Sequence, residues 1–241
     1  MTPPSLKALI FDVDGTLADT EHLHRFAFNE AFKRAGLAWH WDANTYRRLL
    51  AVPGGRERIA HWQREHRTAG EAPWTQESEP VKALHADKTQ LYTGLVDRGE
   101  IPLRAGVKRV IDDARAAGLR LAIATTTSPP NIDALLTTDI GPDWTSVFEV
   151  VEDSATAPRR KPDPQVYEQA LARLGLTARE CLAFEDSITG LTAARAVGIP
   201  TLVTPSHYTH HQDFRGAMRV VPDLAEVRID QLRDWHAAAT A

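Results

Sequence analysis

The chain has 241 residues, 43% hydrophobic and 25% charged, with 14 Gly and 15 Pro; that length suits one or two domains with a substantial core, and the composition excludes fibrous and disordered polymers. Lys and Arg total 28 against 32 Asp and Glu, a net charge of −4, so no global field draws the chain to nucleic acid or an anionic membrane. The single Cys181 cannot form an intramolecular disulfide, no leader pattern opens the chain, and no apolar run approaches the roughly 18 residues of a membrane span. A reduced, cytoplasmic setting is expected.

The first strand is read at Leu9-Ile10-Phe11. A stretch of different character follows. Glu21 to Gly36 carries Leu23, Ala27, Ala31 and Ala35 at helical spacing, with Phe26, Phe28 and Phe32 beside them, and further helices are expected over Ala43 to Leu50, Gly55 to His66 and Val81 to Val96. Gly70 to Pro80 reads as a loop. Residues 20–98 are therefore predicted to form a helical domain inserted into an α/β core made of residues 1–19 and 99–241. Beyond the insert, Leu103, Val107, Val110, Ile111 and Ala114 predict a helix closed by Gly118, followed by strands at Leu119 to Ala124 and Val147 to Val151. Val166, Ala170, Leu171 and Leu174 predict a helix closed by Gly175, and strands follow at Cys181 to Phe184 and Thr201 to Val203. Pro102 and Pro162 suit the opening ends of their helices. Strand alternating with helix implies right-handed crossovers and a Rossmann-like parallel sheet, whose ligands sit beyond the carboxyl ends of the strands.

Those ends carry the chemistry. Asp12-Val13-Asp14-Gly15-Thr16 brings two carboxylates to one side of an extended segment, where they repel unless a cation lies between them or one stays protonated. That suits a hard divalent metal and a nucleophile beside an acid/base, although an Asp-x-Asp-Gly also suits a simple turn. Strand two ends in Thr125-Thr126-Thr127-Ser128 before Pro129-Pro130, hydroxyls and backbone N–H groups of the type that cradle phosphate. Lys161 follows strand three, and Glu185-Asp186-Ser187 follows strand four. Each feature alone has a mundane reading as a cap or a solvated loop. Together they place a carboxylate nucleophile, an acid, hydroxyls, a lysine and distal carboxylates at one sheet edge, the set that phosphoryl transfer with Mg²⁺ requires.

On these motifs the chain resembles the haloacid dehalogenase-like hydrolases. Asp12 to Thr16 matches the family's first motif, Thr125 the second, Lys161 the third and Glu185-Asp186 the fourth. The resemblance implies that Asp12 attacks phosphorus, that Asp14 acts as acid and then base, and that Thr125 and Lys161 hold phosphoryl oxygens. Mg²⁺ would take Asp12, the backbone carbonyl of Asp14 and Asp186, with Glu185 in or near its shell. An Asp at position 14 is similar to the phosphatase and mutase branches, and the insert matches the family's small helical cap, which closes over substrate. The run from Phe11 to Ala18 leading to Glu21, His24-Arg25 and Phe28-Asn29, together with Trp39, Trp41, Lys88-Thr89-Gln90, the threonines at 125–127 and Leu182 to Ser187, resembles the CbbY subgroup, encoded with carbon-fixation genes. That implies a phosphatase of xylulose 1,5-bisphosphate, a sugar phosphate that inhibits Rubisco.

For such a substrate, Thr126 and Thr127 are expected at the transferring phosphate, and Arg47, Arg56 and Lys88 at the distal one, since an arginine engages phosphate bidentately. Glu21 and His24, one helical turn apart, are candidates for sugar hydroxyls. The expected partner is this small molecule alone, bound by a monomer, without nucleic acid or membrane. A phosphomutase of the β-phosphoglucomutase type and a non-enzymatic phospho-acceptor switch are the alternatives; Asp14 and the inserted cap argue against the switch. His207, His210 and His211 read as a solvated loop, Trp39 and Trp41 as packing between helices, and Cys181 as an inert structural thiol.

Overall fold

The computed structural model describes residues 4–96, 98 and 101–241. In chain order its elements are β1 (Ala8–Phe11), α1 (Glu21–Arg34), α2 (Ala43–Leu49), α3 (Gly55–His66), α4 (Glu79–Val96), α5 (Val107–Ala116), β2 (Arg120–Ala124), α6 (Pro129–Asp139), β3 (Val150–Glu152), α7 (Gln165–Leu174), β4 (Cys181–Glu185), α8 (Ile188–Ala196), β5 (Thr201–Val203), β6 (Arg219–Val220) and α9 (Ile229–Thr240). The chain divides into two compact units, Met1–Asp19 with Ile101–Ala241, and Thr20–Glu100. The expected return to the core at residue 99 lies outside the described residues. Among those described, no helix is long and apolar enough to cross a membrane.

The first unit is an α/β core around a parallel sheet ordered β3-β2-β1-β4-β5-β6. This is the Rossmann-like order, in which the chain reverses direction across the sheet beside β1 and leaves a switch point between β1 and β4. The strands are short and apolar because both faces are covered. Ala8, Ile10, Ala122, Ala124 and Ala183 pack against Val166, Tyr167, Ala170 and Leu174 of α7 and Ala193 and Ala194 of α8. Alanines on the sheet let these helices approach closely. On β1 and β4, Phe11 and Phe184 stack with ring centroids 4.5 Å apart. Register then does the positioning: Phe11 pairs with both Ile123 and Phe184, so Asp12, Ala124 and Glu185 come level at one rim.

Two elements start later than their periodicity predicts. Leu103 is not helical; it forms an isolated antiparallel bridge with Ala18, and α5 begins only after Gly106, at φ +80°. Val147 to Glu149 are not strand either, because the 3₁₀ turn Trp144–Ser146 takes the Val147 and Phe148 N–H groups and β3 opens at Val150. The prolines sit in the turns before their helices rather than in the first turn: α5 is capped by Gly106, and α7 by Pro164. The edge strand β6 and the final helix α9 have no counterpart among the predicted elements. β6 is two exposed residues, too short for a pattern.

The second unit is helical. In it α1 packs along α4, and α3 also lies on α4. Its centre is aromatic. Trp41 is fully buried, with its ring 4.8 Å from those of Phe28 and Phe32 and 6.0 Å from Trp62. The Asn29 side chain fixes it there, accepting from the Trp41 N–H at 2.8 Å and donating to its carbonyl at 2.9 Å. Trp39 meets Phe32 edge-on. Both indoles therefore pack between helices.

Gly106 tests the account of α5. A Cβ there would collide with the Leu224 backbone, and φ is in the left-handed region. Gly106→Ala is expected to lower stability by at least about 2 kcal/mol, read by urea denaturation.

Candidate active site

Asp12 is the first residue beyond β1, and its N–H donates to the Phe184 carbonyl at 3.0 Å. Lys161 reaches it from the turn before α7. The lysine Nζ donates to Asp12 Oδ1 at 2.7 Å, to Glu185 Oε1 at 2.6 Å and to the Ala124 carbonyl at 2.7 Å. All three ammonium protons are thereby committed to three strand ends. Lys161 is 5% exposed and Glu185 1%. Burial disfavours the lysine's charge, but the charges of Asp12 and Glu185 outweigh that effect and its pKa is raised. It stays an ammonium.

Asp12 behaves in the opposite way to most paired carboxylates. Burial pushes its pKa from 3.8 up to about 7, with the charges of Glu185 and Asp14 adding to the effect and Lys161 opposing it. Thr16 Oγ1 donates to its second oxygen at 3.3 Å. Carboxylate oxygens of Asp12, Glu185 and Asp186 lie within 4.8 Å of one another. Three buried carboxylates against one ammonium leave an excess of negative charge, and an all-oxygen donor set of this kind fits a hard divalent cation such as Mg²⁺. Asp186 is held by Thr209, whose Oγ1 donates to Oδ2 at 3.1 Å. Gly15, at φ +81°, makes room for it, since a Cβ there would strike the Asp186 carboxylate.

Glu185 has a further partner. Tyr167 donates from its hydroxyl to Oε1 at 2.6 Å, while its ring lies 5.0 Å from the Lys161 Nζ. Burial, then the charges of Glu185 and Asp12, hold the phenol pKa well above its ordinary value, so it remains a donor. Gly190 faces the other Glu185 oxygen, where a Cβ would collide.

The threonines divide their work. Thr127 Oγ1 donates to Asp14 Oδ2. Thr125, buried, accepts from the Thr127 N–H at 3.3 Å through its Oγ1, and its own N–H donates to the Glu152 carbonyl. The Thr126 carbonyl accepts from Arg160 at 2.8 Å. Asp12, Asp14, Thr125, Thr126, Thr127, Lys161, Glu185 and Asp186 thus gather at one rim of the core. Three contributors were not singled out from sequence as site residues. Tyr167 and Thr209 are reached only through the fold. Arg104 bonds the carbonyls of Gly15, Thr204 (2.7 Å) and Pro205 (2.9 Å), holding the turn after Asp14. Main-chain acceptors leave no sequence pattern to find.

The remaining candidates belong to the helical unit, where they form separate groups. Lys88 and His24 come together, both buried, with Nζ 2.7 Å from Nδ1. The contact ties α4 to α1. Lys88 also lies over the rings of Phe28 and Tyr92, at 5.1 and 4.9 Å. Glu21 accepts from the Tyr46 hydroxyl at 2.7 Å, and Arg58 donates to that hydroxyl at 3.4 Å. Arg56 pairs with the exposed Glu77 at 3.6 Å, and Arg47 donates to Asn44 at 3.3 Å. Outside both sets, burial pushes the Cys181 thiol up to about 12, which keeps it protonated and unreactive.

The chain is similar to known proteins. Residues 6–198 match the model of the haloacid dehalogenase-like hydrolases. The chain is 52% identical to the protein CbbY of Cupriavidus necator over 92% of its own length and 87% of the relative's. The crystal structure of CbbY from Rhodobacter sphaeroides with phosphate superimposes with a TM-score of 0.84 at 42% identity, covering 92% of this chain and 96% of that one. An aspartate-to-asparagine variant of the same protein, in complex with xylulose 1,5-bisphosphate, gives 0.85 with the same identity and coverage.

The charge balance at Asp12 can be read without turnover. Because its folded pKa lies above 3.8, the folded state keeps a proton the unfolded chain has released, and stability falls as pH rises from about 4 through about 7. Asp12→Asn has no charge to bury. In EDTA its stability relative to the wild type, read as the difference in melting temperature, should climb from about pH 5 to about pH 8, by on the order of a few kcal/mol at most. Differential scanning fluorimetry measures this, and a margin independent of pH would contradict the burial account.

Proposed function

Since the chain belongs to the haloacid dehalogenase-like hydrolases and is a sugar-phosphate phosphatase among CbbY relatives, we propose that it converts xylulose 1,5-bisphosphate to xylulose 5-phosphate and phosphate through a phosphorylated Asp12. The observation that carries this reading is the 2.7 Å hydrogen bond between Lys161 and Asp12, at a strand rim where Asp14 stands two residues further on. The choice of substrate rests on the xylulose 1,5-bisphosphate complex of the Rhodobacter sphaeroides relative.

Asp12 attacks phosphorus, and the bond from phosphorus to the sugar oxygen breaks. Asp14, protonated and hydrogen-bonded by Thr127, gives its proton to the departing alkoxide. Its carboxylate then takes a proton from water, which attacks the phosphorus and returns the Asp12 carboxylate with free phosphate. Lys161 and Thr125 hold the phosphoryl oxygens, and Thr126 and Thr127 add polar contacts from the same turn. Asp12, the Asp14 carbonyl and Asp186 would hold Mg²⁺, with Glu185 in or near its shell, and the ion would supply charge neutralisation for the transferring group. In the helical unit we assign Glu21 and His24 to sugar hydroxyls and Arg47, Arg56 and Lys88 to the distal phosphate. The exposed Arg56–Glu77 pair at 3.6 Å is weak enough to be exchanged for phosphate.

Phosphate release from a panel of sugar phosphates, with Mg²⁺ present and then chelated, tests the reading. Asp12→Asn should abolish release with the fold retained, and residual turnover would reject the nucleophile. Asp14→Asn should slow it by about a hundredfold or more, the scale of general acid/base catalysis. Arg56→Ala should raise KM for the bisphosphate more than for a monophosphate; equal effects would argue against a distal phosphate contact.

A further inference from the structure

Lys161 has to follow the charge as it moves. In the resting site its ammonium is shared between two carboxylates at nearly equal distance, Asp12 at 2.7 Å and Glu185 at 2.6 Å. If Asp12 becomes an acyl phosphate, its negative charge passes to the phosphoryl oxygens, and Lys161 must lean that way. Glu185 competes for it. An unmoderated buried carboxylate would hold the ammonium tightly, because a charge-assisted hydrogen bond strengthens where water is excluded.

Tyr167 is the group that moderates Glu185. Its hydroxyl donates at 2.6 Å to Oε1, the same oxygen that accepts from Lys161. Two donors on one oxygen share its electron density, so each bond is weaker than it would be alone. The phenol ring also lies 5.0 Å from Nζ and so touches both partners of the ion pair. The side chain is fully buried, in the cluster where α7 meets β1, β2 and β4. Its position is therefore set by the core rather than by the site. Of the other buried tyrosines, Tyr46 and Tyr92 belong to the helical unit and Tyr208 lies between β5 and β6.

We propose that Tyr167 is a positioning residue for phosphoryl transfer: by sharing Glu185 Oε1 with Lys161, its hydroxyl keeps the ammonium available to Asp12 and to the phosphoryl oxygens. It contacts no reacting atom and acts through Glu185. This rests on the assignment of Asp12 and Lys161 above. Loss of the hydroxyl leaves the ring and its packing in place, lets Glu185 draw Lys161 away from Asp12, and weakens the site most when charge is spread over the transferring group.

The test compares Tyr167→Phe, replacement of Tyr167 by 4-aminophenylalanine, and Asp12→Asn in one phosphate-release assay, with vanadate as a probe of the phosphoryl site. Tyr167→Phe should lower kcat by about tenfold, the scale of one charge-assisted hydrogen bond, with KM unchanged within about twofold. The vanadate inhibition constant should rise by a similar factor. 4-Aminophenylalanine keeps a donor on the ring and should restore most of the rate. Full activity in Tyr167→Phe overturns the proposal, as does a rise in KM with kcat unchanged, or equal losses with and without the ring donor. If Tyr167→Phe proves unstable at the assay temperature, the 4-aminophenylalanine protein decides alone: near-wild-type kcat supports the role, and a loss as large as tenfold overturns it. Turnover in Asp12→Asn would instead strike at the nucleophile assignment, so the two failures are told apart.

Discussion

The ammonium of Lys161 spends its three protons on groups at the ends of β1, β2 and β4, and much of the site's order follows from that one arrangement. A cation buried among carboxylates is expensive to desolvate, and removing either partner leaves an uncompensated charge. The hydrogen bonds are therefore as much a constraint on the fold as a product of it. They can form together only because parallel register brings residues 12, 124 and 185 level, and the register is held by apolar packing on both faces of the sheet. Packing fixes the strands, the strands align the carboxylates, and the carboxylates keep the lysine charged.

The helical unit solves a similar problem with different materials. There Lys88 is buried against Phe28 and Tyr92, with its Nζ 2.7 Å from the His24 imidazole. Aromatic faces offer a cation partial compensation that aliphatic packing does not. The consequence is local: the lysine and the imidazole hold each other in place. In both units a buried cation orients a neighbouring group. In the core that neighbour is Asp12, the nucleophile we propose; in the helical unit it is the His24 imidazole.

Much of this was legible from the residues alone, for a physical reason. Parallel strands buried on both faces read as short apolar runs, and the polar residues that interrupt them at Asp12, Thr125 and Glu185 mark the rim directly. Glycine closed α5 and α7 where expected, because the left-handed position after a helix excludes most side chains. The failures are equally physical. Leu103 sits at a helical interval from Val107, yet Gly106 with its positive φ separates them. β6 is two residues long and takes its pairing from β5, so it has no period of its own. Tyr167 carries its hydroxyl to Glu185 from one turn inside an amphipathic helix, where spacing alone marks it as core.

Arg104 shows what main-chain acceptors permit. Its guanidinium meets carbonyl oxygens of residues 15, 204 and 205, and every amino acid supplies a carbonyl. The side chain at position 205 can therefore drift over evolution while the clasp survives, although Gly15 is fixed by its positive φ and by the Asp186 carboxylate and Thr204 adds its hydroxyl to the clasp. The planar fork itself has no substitute, since a lysine cannot span three divergent acceptors. For anyone building chimaeras that exchange the helical insert, the downstream splice belongs on the amino-terminal side of Arg104, so that the recipient's own guanidinium keeps the turn after Asp14 in shape.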